Sequence, residues 1–247
     1  PIIFSGLFSQ NGTLVNLVTT GNSKVWTAGK FDNAISLGTP NGYVHLGGVP
    51  LKDEFTISFW VKPADVSSDG AVILSKDNIA SMKVFRIEQN ATDGFVTATF
   101  NEDGNASTVQ ISSSTLILTN DEWTHIALVY SKDANGSLLL YADGNKSSEL
   151  TGVAISGMDL ASRLSDLYVG DALGSMSGEV DDLRVYDSAL ADSTIAAIHG
   201  QGGGDFNKVE IIGAGITKMT ARQVGNDYYE SALPVDNYMT VWKVPQT

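Results

Sequence analysis

The chain has 247 residues, of which 43% are apolar and 17% are charged. This length suits one large domain with a small appendage or two ordinary domains, and the apolar fraction is normal for a packed core, which excludes extensive disorder. Asp and Glu number 28 against 15 Lys and Arg, giving a net charge of -13. Such an acidic surface repels nucleic acids and anionic membranes and favours cations.

The sequence contains no cysteine and no run approaching the roughly 20 apolar residues of a membrane span. A eukaryotic secreted domain would usually carry a disulfide, so zero cysteines indicate a bacterial secreted or surface protein that relies on core size or calcium. The sequence opens at Pro1 with neither Met nor a signal peptide. We therefore expect a piece of a longer extracellular protein, with flanking domains on the same polypeptide.

Much of the chain predicts short strands separated by turns. Phe55–Pro63 is typical, because Ile57, Phe59 and Val61 alternate with more polar residues at the period of a strand. Asp93-Gly94 is a strong hairpin signal. The other predicted strands are Pro1–Leu7, Thr13–Val18, Tyr43–Leu46, Val72–Lys76, Val84–Glu88, Phe95–Phe100, Thr108–Ile111, Glu122–Tyr130 and Leu138–Asn145. Strands at this close, regular spacing indicate a β-sandwich or barrel.

The stretch Gly178–Tyr186 predicts a strand near the end of the domain. Strict alternation divides its side chains between two faces, with Val180, Asp182, Arg184 and Tyr186 on one and Asp181, Leu183 and Val185 on the other. The strand follows the glycine-terminated run Tyr168–Gly170 and precedes Ala189–Ile198, which has the pattern of a short, capped helix.

Several sequence blocks match, in their residues and in their order, the signature blocks of a known domain family. The blocks are Trp26–Leu37, Thr56–Lys62, Trp123–Tyr130, Leu140–Gly144, Tyr168–Gly170 and the Gly178–Tyr186 strand. They resemble the signature blocks of laminin-G-like and pentraxin-like domains of the concanavalin A-like lectin and glucanase superfamily, here from a bacterial secreted protein. The resemblance covers roughly residues 1–204 and implies an all-β, jelly-roll β-sandwich. Asp32 is a departure, since the family usually has glycine there.

Gly200–Asp205 has the composition of a flexible linker, and we place a domain boundary between residues 204 and 205. Residues 205–247 resemble the second half of a bacterial immunoglobulin-like repeat, because Gly225–Ala232 precedes a last predicted strand, Tyr238–Val244. The few strands predicted here are marginal alone. We expect this small β tail to pack on the sandwich, to pair with the Pro1–Phe4 strand, or to be part of a longer repeat.

The acids of the Gly178–Tyr186 strand predict a structural calcium site, because Ca²⁺ takes oxygen ligands from carboxylates and backbone carbonyls. In laminarinase-like relatives an Asp at this place commonly holds calcium. The resemblance carries that role to Asp181, with Asp182 beside it and Asn41 as a partner from an early turn. The alternative is that the two acids are solvated or pair with Arg184.

Catalysis is not expected. Glu179 and Asp181 resemble part of the Glu-x-Asp-x-x-Glu row of laminarinase-type glycoside hydrolases, in which alternating acids supply nucleophile and general acid. Arg184 occupies the position of the third acid, and the strand lies near the end of the domain. The three histidines form no zinc motif, and His125 is expected to be a buried packing residue.

Ligand binding is the function that remains. Sugars are held by aromatic faces together with hydrogen-bonding side chains in shallow clefts, and the candidate residues are Trp26, Tyr43, Arg86, Arg163 and Asp171. The leading hypothesis is a non-catalytic carbohydrate-binding or adhesion module that contacts a polysaccharide, another glycan or a surface protein. The alternatives are a structural spacer or protein–protein interaction module, and a divergent glycoside hydrolase or polysaccharide lyase.

Overall fold

A computed structural model describes residues 3–5, 13–15, 26–31, 33–37, 42–49, 51, 53–67, 70–77, 83–90, 94–101, 108–115, 117–132, 136–153, 155, 166–171, 174–200, 215–221 and 235–241. The chain divides into two compact units, Pro1–Gly203 and Gly204–Thr247.

The first unit is built from two sheets. In its described part, sheet A has eight strands. Seven lie in the spatial order β13 (Asn145–Thr151), β12 (Ser137–Ala142), β11 (Thr124–Ser131), β6 (Glu54–Pro63), β15 (Gly178–Tyr186), β4 (Asn33–Ser36) and β3 (Trp26–Ala28). The eighth, β1 (Ile3–Ser5), pairs in parallel with the second half of β15, whereas the other neighbours are antiparallel.

Sheet B has seven described strands, and all of its neighbouring pairs are antiparallel. Their spatial order is β10 (Thr108–Ser112), β9 (Phe95–Asn101), β8 (Lys83–Asn90), β7 (Ala71–Asp77), β14 (Asp166–Val169), β5 (Tyr43–Gly48) and β2 (Thr13–Val15). Successive strands change sheets, since β5 lies in sheet B, β6 in sheet A and β7 in sheet B again. Such crossing is typical of a jelly roll, and the predicted all-β sandwich is confirmed.

The core lies between the inner faces of the two sheets, as the alternating sequence pattern predicts. Phe55, Ile57 and Phe59 of β6 point into it and are completely buried, as are Ile87 of β8 and Leu128 of β11. Fully burying a side chain of this kind stabilises the fold by about 1.5–3 kcal/mol relative to leaving it exposed.

Strand β15 departs from the alternation expected of it. Its pairing with β6 is interrupted by a bulge between Asp181 and Arg184, where Asp182 has a φ of 49°. The extra residue of a bulge changes which side chains share a face. Val180 and Leu183 both pack in the core, although strict alternation would put them on opposite faces. The predicted division of this strand into two faces is therefore wrong beyond the bulge.

The described helix, α1 (Asp192–Gly200), covers part of the outer face of sheet A. Ile195 is buried against Ala127 of β11, and the Tyr141 hydroxyl of β12 donates a 2.7 Å hydrogen bond to Asp192 Oδ1. An acidic side chain at a helix N-terminus interacts favourably with the helix dipole. The predicted helix is confirmed with a later start. Within the described ranges, no helix has the length and apolar character needed to cross a membrane.

The second unit contains two described strands, β16 (Gly215–Ala221) and β17 (Val235–Val241), which pair antiparallel. The N-terminal strand β1 is part of the sandwich through its pairing with β15. The immunoglobulin-like identity of the tail stays a prediction.

Candidate functional site

The outer face of sheet B carries a row of side chains that crosses six strands. The register gives their order: His45 opposes Tyr168, Tyr168 opposes Ser75, Ser75 opposes Arg86, Arg86 opposes Thr99, and Thr99 opposes Gln110. Directly opposed residues point to the same face of a sheet. The adjoining residues Val44, Leu74 and Ile87 pack in the core, so the row points outward.

Five further side chains lie two positions along a strand from a member of the row and therefore point to the same face. They are Tyr43, Asp166, Glu88, Thr97 and Ser112. The row and these five side chains are together termed the polar face. Each strand presents it because polar residues alternate there with apolar residues that fill the core.

One end of the polar face is aromatic. The Tyr168 ring stacks on the His45 ring, with centroids 5.0 Å apart and planes at 17°. The same tyrosine meets Tyr43 edge to face, with centroids 5.6 Å apart. All three side chains are partly exposed. Such contacts fix ring orientations, so this end offers preformed aromatic surface to a ligand.

The charged side chains of the polar face are paired on the face itself. His45 Nε2 lies 2.8 Å from Asp166 Oδ2. Arg86 Nε lies 3.0 Å from Glu88 Oε2, in an ion pair whose alignment is not that of a hydrogen bond. Partly exposed pairs like these contribute at most about 1 kcal/mol to stability. Their consequence for binding is that the face offers donors and acceptors without a concentrated charge.

The other end of the polar face consists of hydroxyl and amide groups. Thr97 Oγ1 and Ser112 Oγ are 2.9 Å apart, and Gln110 Nε2 donates a 3.3 Å hydrogen bond to Thr99 Oγ1. Gln110 is exposed, whereas both threonines are buried. Ser75, in the middle of the row, is completely buried and donates to a backbone carbonyl 3.0 Å away. In the centre of the row, the partly exposed Arg86 therefore lies between two short, buried side chains, Ser75 and Thr99.

A pocket, termed the edge pocket, is lined by residues of β3, β4, β14 and β15. It has about 330 Å³ of empty space, part of it open to solvent. Trp26, which is 52% exposed, stands at its mouth. Its other lining residues are Asn33, Ile35, Val169, Val180, Asp181, Asp182 and Leu183.

The two acids of the edge pocket are held by neighbouring groups. Asp181 Oδ2 accepts the Phe31 N–H at 2.8 Å, and Asp181 Oδ1 accepts the Asp182 N–H at 2.7 Å. Burial raises the pKa of the Asp181 carboxyl, and these two donors act in the opposite direction. Asp182 Oδ2 accepts a 2.6 Å hydrogen bond from Arg184 Nη2, with both side chains buried. The alternative interpretation from the sequence, in which an acid of this strand pairs with Arg184, is therefore observed for Asp182.

Backbone space around Asp181 also depends on the sequence. A Cβ at Gly29 would lie 2.5 Å from Asp181 Oδ2, so glycine lets the preceding segment approach the carboxylate. Because residue 29 has no side chain, the backbone of Gly29-Lys30-Phe31 can lie close enough to Asp181 for the Phe31 N–H to reach its carboxylate.

The two carboxyls considered for catalysis have different surroundings. Glu179 Oε2 lies 2.9 Å from Lys62 Nζ, and Glu179 is absent from the described lining of the edge pocket that contains Asp181. Glycoside hydrolysis needs two carboxyls that flank one scissile bond.

His125 lies on the outer face of sheet A and is 1% exposed, so its predicted burial is confirmed. Its ring packs against the rings of Trp60 and His199, and neither ring nitrogen has a hydrogen-bond partner among the described residues. Burial, and then the charges of His199 and Arg184, lower the pKa of His125 to about 3.

Of the predicted ligand residues, the structure brings Tyr43 and Arg86 to one surface, the polar face. They lie three strand spacings apart, or about 14 Å. Trp26 is placed at the edge pocket, and Asp171 is buried at the end of β14. Two predicted site residues, Arg163 and Asn41, lie outside the described residues.

Sequence reasoning missed His45, Tyr168 and Gln110 as site residues. The available signal is that each polar side chain alternates with core residues on a strand. The missing information is which strands are neighbours, because the β5–β14 and β7–β14 pairs join segments far apart in sequence.

Comparison with known proteins identifies relatives of this fold. Residues 37–196 match the sequence profile of the concanavalin A-like lectin/glucanases superfamily, of the laminin-G type. Among curated proteins, no sequence matches significantly.

Three solved structures illustrate the structural likeness. Domain 4 of AbnA, a GH43 extracellular arabinanase from Geobacillus stearothermophilus, in complex with arabinotriose, is 19% identical with a TM-score of 0.57, over 76% of this chain and 87% of that one. The CBM40 domain of the Ruminococcus gnavus IT-sialidase, bound to α2,3-sialyllactose, is 18% identical with a TM-score of 0.55, over 67% and 95%. The ligand-binding domain of botulinum neurotoxin serotype D, in complex with N-acetylneuraminic acid, is 12% identical with a TM-score of 0.57, over 77% and 46%. At identities this low, the structural likeness shows a shared fold alone.

Proposed function

This chain belongs to the concanavalin A-like lectin/glucanases superfamily, and we propose that it is a non-catalytic carbohydrate-binding module of a larger extracellular protein. One observation carries the proposal: the polar face combines aromatic rings, a guanidinium, an amide and hydroxyls on one sheet surface. These are the groups that hold sugars in shallow clefts. Two proteins of the same fold are in complex with oligosaccharides, which makes glycans the first ligand class to test.

A binding role without chemistry is supported by the state of the acids. Glu179 is ion-paired with Lys62, Asp182 with Arg184, and Asp181 accepts two backbone N–H groups. Carboxyls engaged in this way have structural partners. A carboxyl that serves as nucleophile or general acid must instead be free to engage a substrate.

The experiment is isothermal titration calorimetry against a panel of plant, bacterial and host polysaccharides, with and without Ca²⁺. We expect binding to at least one polysaccharide and a clear loss of affinity in the Tyr168→Ala variant. Lys132→Ala is the matched control, because Lys132 forms an exposed ion pair with Asp53 on sheet A. A flat response to every glycan would contradict the proposed function.

The edge pocket is the competing location for the same function. Its exposed Trp26 could stack on a sugar, as the sequence predicts. Trp26→Ala therefore belongs in the same titration series. Loss of binding in this variant, with normal binding by Tyr168→Ala, would move the site from the polar face to the edge pocket.

Structural calcium near Asp181 is a separate proposal. Of the three buried charged side chains on β15, Asp181 and Asp182 are negative and Arg184 is positive, and a cation would balance the surplus negative charge. Within the described ranges, no group of three or more acids and histidines is arranged to hold a metal. The charge of the two described carboxylates thus suits Ca²⁺, but two carboxylates are too few to complete its coordination. Further oxygen ligands, such as Asn41, would have to come from outside the described residues.

Thermal unfolding tests the calcium proposal. Adding Ca²⁺ to chelator-treated protein should raise the melting temperature of the wild type, and the increase should be absent in Asp181→Asn. Equal melting temperatures of the wild type with chelator and with Ca²⁺ would contradict it.

A further inference from the structure

We propose that the polar face binds a neutral, linear oligosaccharide that lies across the strands, along the row from His45 to Gln110. This inference rests on the proposed function and names the class of glycan and its orientation. Three observations carry it: the pairing of charges on the face, the length of the row, and the different chemistry of its two ends.

The charge pattern favours a neutral ligand. The Arg86 guanidinium is compensated by Glu88 at 3.0 Å, and the His45 imidazole lies 2.8 Å from Asp166. An anionic sugar such as a uronic acid would have to compete with these carboxylates for the two basic groups. It would also approach a chain whose net charge is -13, and like charges repel. Hydroxyl groups of a neutral sugar can instead donate to the carboxylates and accept from the guanidinium.

The length of the row favours a chain of several sugars. From His45 on β5 to Gln110 on β10 the row crosses five strand spacings, or about 24 Å. One sugar ring covers only a small part of that distance. The register sets the row roughly perpendicular to the strands. Ser75 and Thr99 are buried beneath their neighbours, so a chain lying in that direction would touch the more exposed side chains of Tyr168, Arg86 and Gln110.

The two ends of the row would make different contacts. At the first end, the partly exposed rings of Tyr43 and Tyr168 can stack on the apolar face of a sugar. At the far end, the exposed Gln110 amide offers both a donor and an acceptor to sugar hydroxyls. A short oligosaccharide seated on the rings would therefore leave Gln110 without a sugar, whereas a longer one would reach it.

This difference gives a test based on ligand length. Wild type, Tyr168→Ala, Gln110→Ala and the control Lys132→Ala are titrated with trisaccharides and hexasaccharides of α-1,5-arabinan, β-1,4-xylan, β-1,4-glucan, β-1,3-glucan and β-1,4-galactan. Hexasaccharides of polygalacturonate serve as the anionic probe. Gln110 is exposed on the edge strand β10, and its side chain makes one hydrogen bond, of 3.3 Å, among the described residues. Its replacement should therefore leave the fold intact, which circular dichroism verifies.

For the neutral sugar that binds, Tyr168→Ala should lower the affinity for the trisaccharide and for the hexasaccharide alike, by about tenfold or more, as expected for an aromatic hot spot. Gln110→Ala should lower the affinity for the hexasaccharide several-fold and leave the affinity for the trisaccharide unchanged. Polygalacturonate should bind more weakly than the neutral chain.

Either of two results would overturn the inference while leaving the proposed function in place. One is a neutral hexasaccharide whose affinity is unaffected by Gln110→Ala, and the other is stronger binding of polygalacturonate than of every neutral chain. Absence of binding to all glycans would overturn the proposed function together with the inference.

Discussion

Lowering the pH from 7 to 5 should destabilise the sandwich through one buried side chain, His125. Its pKa in the folded protein is about 3, against 6.5 for an unperturbed histidine. A group whose pKa is lowered by folding stabilises the fold fully above its unfolded pKa, and this contribution is lost as the pH falls towards the folded pKa. The loss therefore begins near pH 6.5 and is complete near pH 3.

The size of the effect follows from the two pKa values. At pH 5 the unfolded chain protonates this histidine and the folded chain does not, which costs about 2 kcal/mol of unfolding free energy relative to pH 7. Urea denaturation at pH 7, 6 and 5, followed by tryptophan fluorescence, measures this change in the free energy of unfolding.

The matched variant is His125→Phe, which keeps a ring between Trp60 and His199 and removes the titrating group. No hydrogen bond of the described side chains is lost with the imidazole. The variant should lack about 2 kcal/mol of the wild-type pH dependence between pH 7 and 5, whereas His45→Gln, at a partly exposed position, should keep the contribution of the buried histidine. Equal losses in wild type and His125→Phe would refute the reasoning.

Three further predictions concern a buried ion pair, a turn and the charge of the polar face. Arg184→Met leaves the Asp182 carboxylate buried without its 2.6 Å partner and should cost about 3–5 kcal/mol in urea denaturation. The double variant with Asp182→Asn should recover much of that loss. Gly94→Ala should lower the melting temperature more than Gly70→Ala, because both glycines have a positive φ but only at Gly94 would the new Cβ lie 2.3 Å from a backbone oxygen. Glu88→Gln removes the partner of the arginine on the polar face and should raise the affinity for polygalacturonate several-fold in calorimetry.

Each of these predictions has a contradicting result. The ion-pair argument fails if the single and double variants are equally unstable. The steric argument fails if the two alanine variants melt at the same temperature. The charge argument fails if the Glu88→Gln variant and the wild type bind the anionic chain equally.

The sandwich could be predicted from the sequence because its signal is local. Ile57, Phe59 and Val61 alternate with more polar residues, and the strand predicted as Phe55–Pro63 is observed as Glu54–Pro63. The faces of β15 could not be predicted beyond its bulge. The bulge, where Asp182 has a φ of 49°, is defined by the pairing of β15 with β6, a strand more than a hundred residues earlier in the sequence.

The candidate site was predictable by residue type but not as a surface. An exposed tyrosine and an arginine are reasonable sugar ligands, and both Tyr43 and Arg86 lie on the polar face. The neighbours that complete it, such as Tyr168, are brought together by strand pairing across more than a hundred residues. Single-sequence patterns carry no information on that pairing. No ligand-binding or metal-binding role predicted from the sequence has been tested, so all of them stay predictions: those of Trp26, Tyr43, Arg86, Arg163 and Asp171 for a ligand, and those of Asp181, Asp182 and Asn41 for a metal.

The most direct measurement is NMR titration of isotope-labelled protein with the neutral hexasaccharide that binds best in calorimetry. We predict that chemical-shift changes follow the row across sheet B, from His45 and Tyr168 through Arg86 to Gln110, while sheet A is unaffected. Shift changes centred on Trp26 and the edge pocket, with none on the polar face, would contradict the claim that this face is the glycan-binding site.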